Sequence, residues 1–274
     1  MSSARVPPAT KAEDDDLLVR FEQEVLPAEY KTYYRTKRNN FFASIQKFPE
    51  LWNYYLMLDA IWYREIDLLK PSAPNKAFPI MLYINAHAKL RIAVELAFTG
   101  CLPEARSILR DAAEFVAHAH HMLKDPALQV VWLNRLDDDE AFMREFWHSK
   151  QTGLFAGLDE LYEMWRKLSE MGSHANITSI CERVKTTEVD GQPEWRLSYT
   201  GVAEKPWAMG IFDMLLVDFK MEETLFRDYE MRFQFDEKLL TMHRDFENYK
   251  ERLRRALLAK YNVKPPETPM VVLK

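Results

Sequence analysis

Seven glycines in 274 residues leave this chain few places to turn sharply. The same sequence carries 13 methionines, 16 phenylalanines and 12 tyrosines, and it is rich in Leu, Ala, Glu and Arg, which sit easily in helices. A chain so built is pushed towards long helices joined at a few marked breaks. Prolines mark most of those breaks, because proline removes a backbone donor and its ring clashes with the preceding turn.

From Leu17 to Phe48 the pattern is helical, interrupted by Pro27 and closed by Pro49, so two short helices are expected. Pro49 suits a helix start, and Leu51, Tyr55, Leu58, Trp62, Glu65 and Leu69 then follow at spacings of three and four, a helix rich in aromatic core residues. "PSAPNK" breaks the chain. Ile80 to Thr99 forms the next helix, ended at "GCLP", where Gly100 can take the left-handed cap conformation, and Glu104 to Lys124 follows. A link this short predicts an antiparallel helical hairpin. Further helices are expected over Leu128 to Arg135, after the acidic start "DDDEAFMREFWHSK", over Leu158 to Met171, Pro206 to Phe233 and Asp236 to Tyr261. The exception is "RVKTTEVDGQPEWRLSYTG", where alternating β-branched residues flank an Asp190-Gly191 pair, a strong hairpin signal. The expected fold class is all-α: a multi-helix bundle with one inserted two-stranded β-hairpin near 183–200. A disordered leader (1–16), a single helical domain (17–261) and an extended proline-rich tail (262–274) complete the expected organisation.

An apolar fraction of 47% with 29% charged residues is that of a soluble globular chain. The net charge of −5 argues against a surface built throughout for nucleic acid, while leaving room for a local basic patch. Cys101 and Cys181 lack metal-knuckle spacing and form no disulfide framework, which fits a reducing cytoplasm. The N-terminus has no apolar signal core, and the most apolar long window, Pro79 to Phe98, carries His87, Lys89, Arg91 and Glu95, so no membrane span is expected.

"RDAAEFVAHAHHMLKD" places three of the seven histidines in four residues. On a helical wheel Ala105, Ile108, Leu109, Ala112, Phe115, Val116, Ala119 and Leu123 form the core stripe, and His118, His120 and His121 diverge, so they cannot all reach one ion. A di-iron bundle needs two Glu-x-x-His pairs, and the sequence supplies one, Glu145 to His148. No metal and no cofactor are therefore expected. On the preceding helix His87, Arg91 and Glu95 make a polar ladder spaced by four, which folding of the hairpin would bring towards Arg110, Asp111, Glu114 and His118. If that seam is buried, its charges must pair; structural pairing and a ligand pocket both remain open.

"GCLPEARSILRDAAEFVAHAHHMLKDP" and "ELYEMWRKLSEMGSHANI" resemble bacterial helical families with an A-x-x-L-L-R-x-x-x-E helix followed by an L-S-x-x-x-H segment, themselves distantly similar to the HEPN superfamily of all-α domains. The matching residues are Ala105, Leu109, Arg110 and Glu114, then Leu168, Ser169 and His174, the last with four residues rather than three after the serine. The resemblance implies Arg110, Glu114 and His174 as catalytic candidates and Ser169 as a substrate contact, and the polar seam of the hairpin adds Arg91, Glu95 and His118 for substrate. HEPN ribonucleases space arginine and histidine by four to six residues. Here Arg110 to His118 and Arg166 to His174 enclose seven, and Arg144 to His148 encloses three. That departure favours a binding or regulatory role, in a defence or stress system, over cleavage.

Two basic stretches interleave cations with aromatics. Lys31, Arg35, Lys37, Arg38 and Lys47 lie among Tyr30, Tyr33, Tyr34, Phe41 and Phe42, a composition that suits phosphates and stacked bases, and Lys250, Arg252, Arg254, Arg255 and Lys260 cluster near the C-terminus. No phosphate loop, GxSxG or GxGxxG occurs, so the common nucleotide and serine hydrolase signatures are absent. The expectation is a non-catalytic HEPN-like protein binding an unknown protein or RNA partner, with homodimer formation open. An RNA-cleaving enzyme with His118 or His174 as acid or base is the first alternative, and a metal-dependent bundle enzyme using Glu114, His118 and His174 the second.

Overall fold

The computed structural model of the chain describes residues 27–71, 74–147, 153–173, 181, 184–189, 191–197 and 203–262. It is a helical bundle with one inserted β-hairpin. Helix α1 (Ala28–Lys47) starts directly after Pro27, and α2 (Pro49–Leu68) starts on its proline. The short helix expected before Pro27, the leader, and residues 263–274 of the tail fall outside the described residues. On α2 the spacing of three and four is realised as a buried face of Leu51, Tyr54, Tyr55, Leu58, Ile61, Trp62 and Glu65.

Helix α3 (Pro74–Phe98) begins six residues earlier than the sequence reading placed it and contains Pro79. Near a helix start this proline removes a single backbone bond, and burial of Pro79 and Ile80 offsets the loss. Gly100, at φ +87°, turns the chain into α4 (Leu102–Lys124), and Gly100 and Cys101 donate back to the carbonyls of Ala97 and Leu96 at 3.1 and 2.9 Å. This is the glycine-capped helical hairpin the sequence implies.

Helix α4 lies at the centre. It packs against α3, against α8 (Glu204–Asp228), and against α7 (Asp159–Leu168) with the π turn Ser169–Ser173 that continues it. One apolar stripe therefore does not describe it. Arg106, Ala113, Ala117, His120 and Met122 are buried as well, whereas Ile108, Phe115 and Leu123 of the expected stripe are only partly covered. Close packing of α8 on α4 depends on Gly210, where an added Cβ would sit 2.8 Å from Leu102 Cδ1 and 3.3 Å from Arg106 Nη2.

The short helices α5 (Leu128–Leu133) and α6 (Asp139–Glu145) pack on each other, and Asp138 caps α6 by accepting from the Ala141 N–H at 2.9 Å. The single helix expected over 206–233 is two, α8 and α9 (Glu230–Phe233), separated at Tyr229. Asp236 caps α10 (Glu237–Lys260), which lies against α2. Strands β1 (Val184–Val189) and β2 (Gln192–Leu197) pair antiparallel with Val184 opposite Leu197 and Val189 opposite Gln192, and Gly191 at φ +73° makes the turn. Among the described residues no helix is long and apolar enough to cross a membrane.

Candidate ligand-binding cleft

The last carbonyls of a helix have no partners within it. At the end of α3 three side chains supply them: Ser44 Oγ donates to Phe98 O at 2.5 Å, Asn40 Nδ2 to Thr99 O at 3.2 Å, and Trp207 Nε1 to Ala97 O at 2.8 Å. Two of these come from α1, so α1 is pinned across the ends of α2 and α3 through the same groups that terminate α3.

Pinning α1 there leaves a cleft of about 460 Å³ between α1, α2 and α3. Its floor is aromatic. Trp52 packs edge-on against Phe41 at 5.6 Å and Phe98 at 5.1 Å, with Tyr55 5.2 Å away. Tyr34 and Phe42 stand on the rim, 43% and 58% exposed; the Tyr34 ring also packs on Tyr30 and Tyr33 at 4.7 and 5.4 Å, and Phe42 edge-on against Phe41 at 5.7 Å. Lys37, Arg38 and Arg91 bring positive charge, and Glu95 provides a single carboxylate. Neither Lys37 nor Arg38 has a carboxylate partner among the described residues.

Arg91 is held rigidly. Its Nε and Nη2 donate to the two oxygens of Asp59 on α2 at 2.7 and 2.9 Å, and Asp59 Oδ1 also meets His87 Nε2 at 2.8 Å. Burial alone would raise the Asp59 pKa; the hydrogen bonds from His87 and Arg91, reinforced by their charge, outweigh it and hold the carboxyl down to about 2. An ionised carboxylate only accepts, so Nε2 of His87 carries the proton in this pair. His87 in turn stacks on Trp62 at 5.3 Å, and Trp62 Nε1 donates to the buried Asp218 of α8 at 2.9 Å. The cleft wall is thus tied to the bundle centre.

The polar ladder on α3 therefore does not face α4 as the hairpin alone suggested. His87 and Arg91 turn to α2 because Asp59 offers a charge there; the cross-hairpin contact comes from Lys89, 3.3 Å from Asp111. Arg110 and Glu114 lie apart from the cleft and engage each other at 2.7 Å, with Glu114 accepting from Trp165 Nε1 at 2.9 Å and the Arg110 guanidinium 5.6 Å from the Trp165 ring centre. His118 is surrounded by Phe142, Phe146 and Trp132. Ser169 donates to Trp165 O at 3.0 Å within its own helix. His174 and His148 lie outside the described residues. Of the seven residues singled out from sequence for catalysis or substrate, Arg91 and Glu95 line the cleft, and the structure does not bring Arg110, Glu114 or Ser169 to it.

No family model, curated protein or solved structure matches the chain.

Sequence reasoning missed Trp52, Tyr55 and Asp59, which give the cleft its floor and its charge balance. An aspartate on an aromatic-rich helix, one turn from Tyr55, was the available signal. It also missed a convergence of two glutamates and a histidine among the described residues: Glu65, Glu222 and His243. The basic cluster of α10 is largely neutralised within the fold, since Lys250 pairs with Glu247 at 2.7 Å, Arg254 and Arg255 with Glu251 at 3.1 and 2.7 Å, and Lys260 with Glu204 at 3.5 Å.

Proposed function

We propose that this protein is a binding protein, and that its cleft between α1, α2 and α3 receives a short segment of single-stranded RNA. The observation carrying this reading is the meeting of a partly exposed aromatic cluster with cations at one cleft: Tyr34 and Phe42 on the rim, Lys37, Arg38 and Arg91 around it. Bases stack on aromatic faces with little regard to sequence, at about 1–3 kcal/mol each, and phosphates follow the cations. A volume of about 460 Å³ falls in the range of pockets that enclose a small organic group, roughly 300–1,000 Å³. Glu95 adds selectivity, because a lone carboxylate in a cationic cleft accepts from an exocyclic amino group of a base and repels a phosphate. An overall charge of −5 confines the attraction to this patch, so binding is expected to weaken steeply with salt.

The test is fluorescence anisotropy of labelled single-stranded RNA at low salt, read beside the quenching of tryptophan emission from Trp52. The wild type should bind, Phe42→Ala and Tyr34→Ala should each weaken binding by roughly five- to a hundredfold, and Arg38→Glu should do so while reducing the salt dependence. Arg255→Glu, on the paired α10 cluster, should leave affinity unchanged. Absence of binding by the wild type, or equal affinity in all four variants, would reject the reading.

A further inference from the structure

Two glutamates from distant parts of the chain meet inside the bundle, and among the described residues neither is ion-paired to an arginine or lysine. Glu65 of α2 is fully buried and Glu222 of α8 is 1% exposed. The imidazole of His243 on α10, 20% exposed, reaches in from the surface side, with Nε2 3.2 Å from Glu65 Oε1 and 3.4 Å from Glu222 Oε1. The three donor atoms lie within 4.8 Å of one another. We propose that Glu65, Glu222 and His243 form a binding site for a divalent first-row metal ion.

Geometry supports this first. Donors at about 2.0–2.2 Å from a common ion stand roughly 2.8–3.1 Å apart in an octahedron and 3.3–3.6 Å apart in a tetrahedron. The 3.4 Å edge lies within the tetrahedral range, the 3.2 Å edge falls just short of it, and the third edge is within 4.8 Å.

A second, independent observation is the state of the oxygens. Among the described residues Glu65 Oε2 and Glu222 Oε1 are buried with no hydrogen-bonded donor, while the two carboxyls lie close enough to bond each other when one is protonated, and burial raises both pKa values. Buried carboxylate oxygens ordinarily have partners, and those that do not require an explanation such as an ion. Two further buried atoms in the electrostatic reach of Glu222, the Tyr54 hydroxyl and Asp218 Oδ2, also have none. A divalent cation between two carboxylates gives a neutral group and removes the desolvation penalty that two buried anions would otherwise bear.

Ligand chemistry narrows the metal. Carboxylates with one imidazole suit zinc, manganese or ferrous iron; calcium prefers six to eight oxygens. Three protein ligands leave coordination positions for water. The alternative occupant of such a glutamate pair is a proton shared between them, and the experiment separates the two.

The full chain, stripped with a chelator, is titrated with cobalt(II) as a spectroscopic probe and with zinc, manganese and anaerobic ferrous ions, followed by visible absorption, calorimetry and thermal melting. One equivalent should bind with visible cobalt bands from a nitrogen- and oxygen-ligated site. At a hundredfold excess over Kd, the preferred metal should raise the midpoint by about 5–10 °C. His243→Gln alters the least buried ligand, and Glu222→Gln removes a charge while keeping shape; both should melt cooperatively without metal and lose more than about a hundredfold in affinity. Failure of all four ions to bind or shift the wild type would overturn the proposal in favour of a shared proton. Undiminished stoichiometric binding in both variants would overturn it by placing the metal elsewhere.

Discussion

Replacing Asp59 with asparagine keeps the shape of the side chain and removes the charge that holds His87 and Arg91. Asp59 titrates at about 2 in the folded protein, against about 3.9 for an unperturbed aspartate. That gap corresponds to about 2.6 kcal/mol, and because the carboxyl is 21% exposed the working figure is about 1–2. The amide adds a second penalty, since its NH₂ presents donors where His87 and Arg91 already donate. Arg91, itself 48% exposed, can return to water, whereas His87 at 7% cannot, so roughly 1 kcal/mol more is expected from the imidazole side. Asp59→Asn should therefore lose about 2–3 kcal/mol at pH 7, or about 5–10 °C in the melting midpoint.

The pH dependence has a definite sign. A carboxylate whose folded pKa lies below its unfolded value stabilises fully above the unfolded pKa, and the contribution fades as pH falls through the folded one. The difference between wild type and Asp59→Asn should be constant from pH 7 to about 5 and shrink steadily towards pH 2. Urea denaturation at pH 7, 5, 4 and 3 measures it. A difference under about 0.5 kcal/mol at pH 7, or one that does not narrow by pH 3, would refute the assignment of Asp59 as the ionised centre of this wall.

Trp62→Phe deletes the indole N–H that reaches Asp218 at 2.9 Å and part of the surface stacked on His87; urea melts should show a loss of about 2–3 kcal/mol. Tyr83→Phe removes a hydroxyl 2.6 Å from Asp228 Oδ2 but leaves His120 Nδ1 at 2.7 Å from Oδ1, so a smaller loss of about 1–2 kcal/mol with an unchanged denaturant slope is expected.

Local signals carried the fold well. Gly100 and Pro103 mark the α3–α4 hairpin, and Asp-Gly marks the β-turn, because each acts on its immediate neighbours. Helix rotation is another matter. The hairpin could be drawn from sequence, but which way His87 and Arg91 point depends on Asp59, a residue of a third helix whose position no local pattern encodes. The wheel of α4 failed to anticipate burial of Arg106 and His120 for the same reason: a helix enclosed on several sides has no single apolar stripe. Glu65 is the instructive case. Its spacing with Leu58, Trp62 and Leu69 placed a carboxylate on a core face, an anomaly visible in sequence, yet one partner, His243, lies 178 residues further on. A buried acid can be suspected from its own helix; what it meets there cannot.

Gly210 gives that meeting a mechanical origin. Helix α8 touches α4 where a side chain is missing, and Glu222 lies twelve residues along the same rod, about 18 Å away at 1.5 Å per residue. Sliding α8 by one turn would drive a bulkier neighbour into Leu102 at one end and carry Glu222 about 5 Å away from Glu65 at the other. The notch thus acts as a detent: an absent methyl near the start of the helix fixes the address at which its buried acid is delivered.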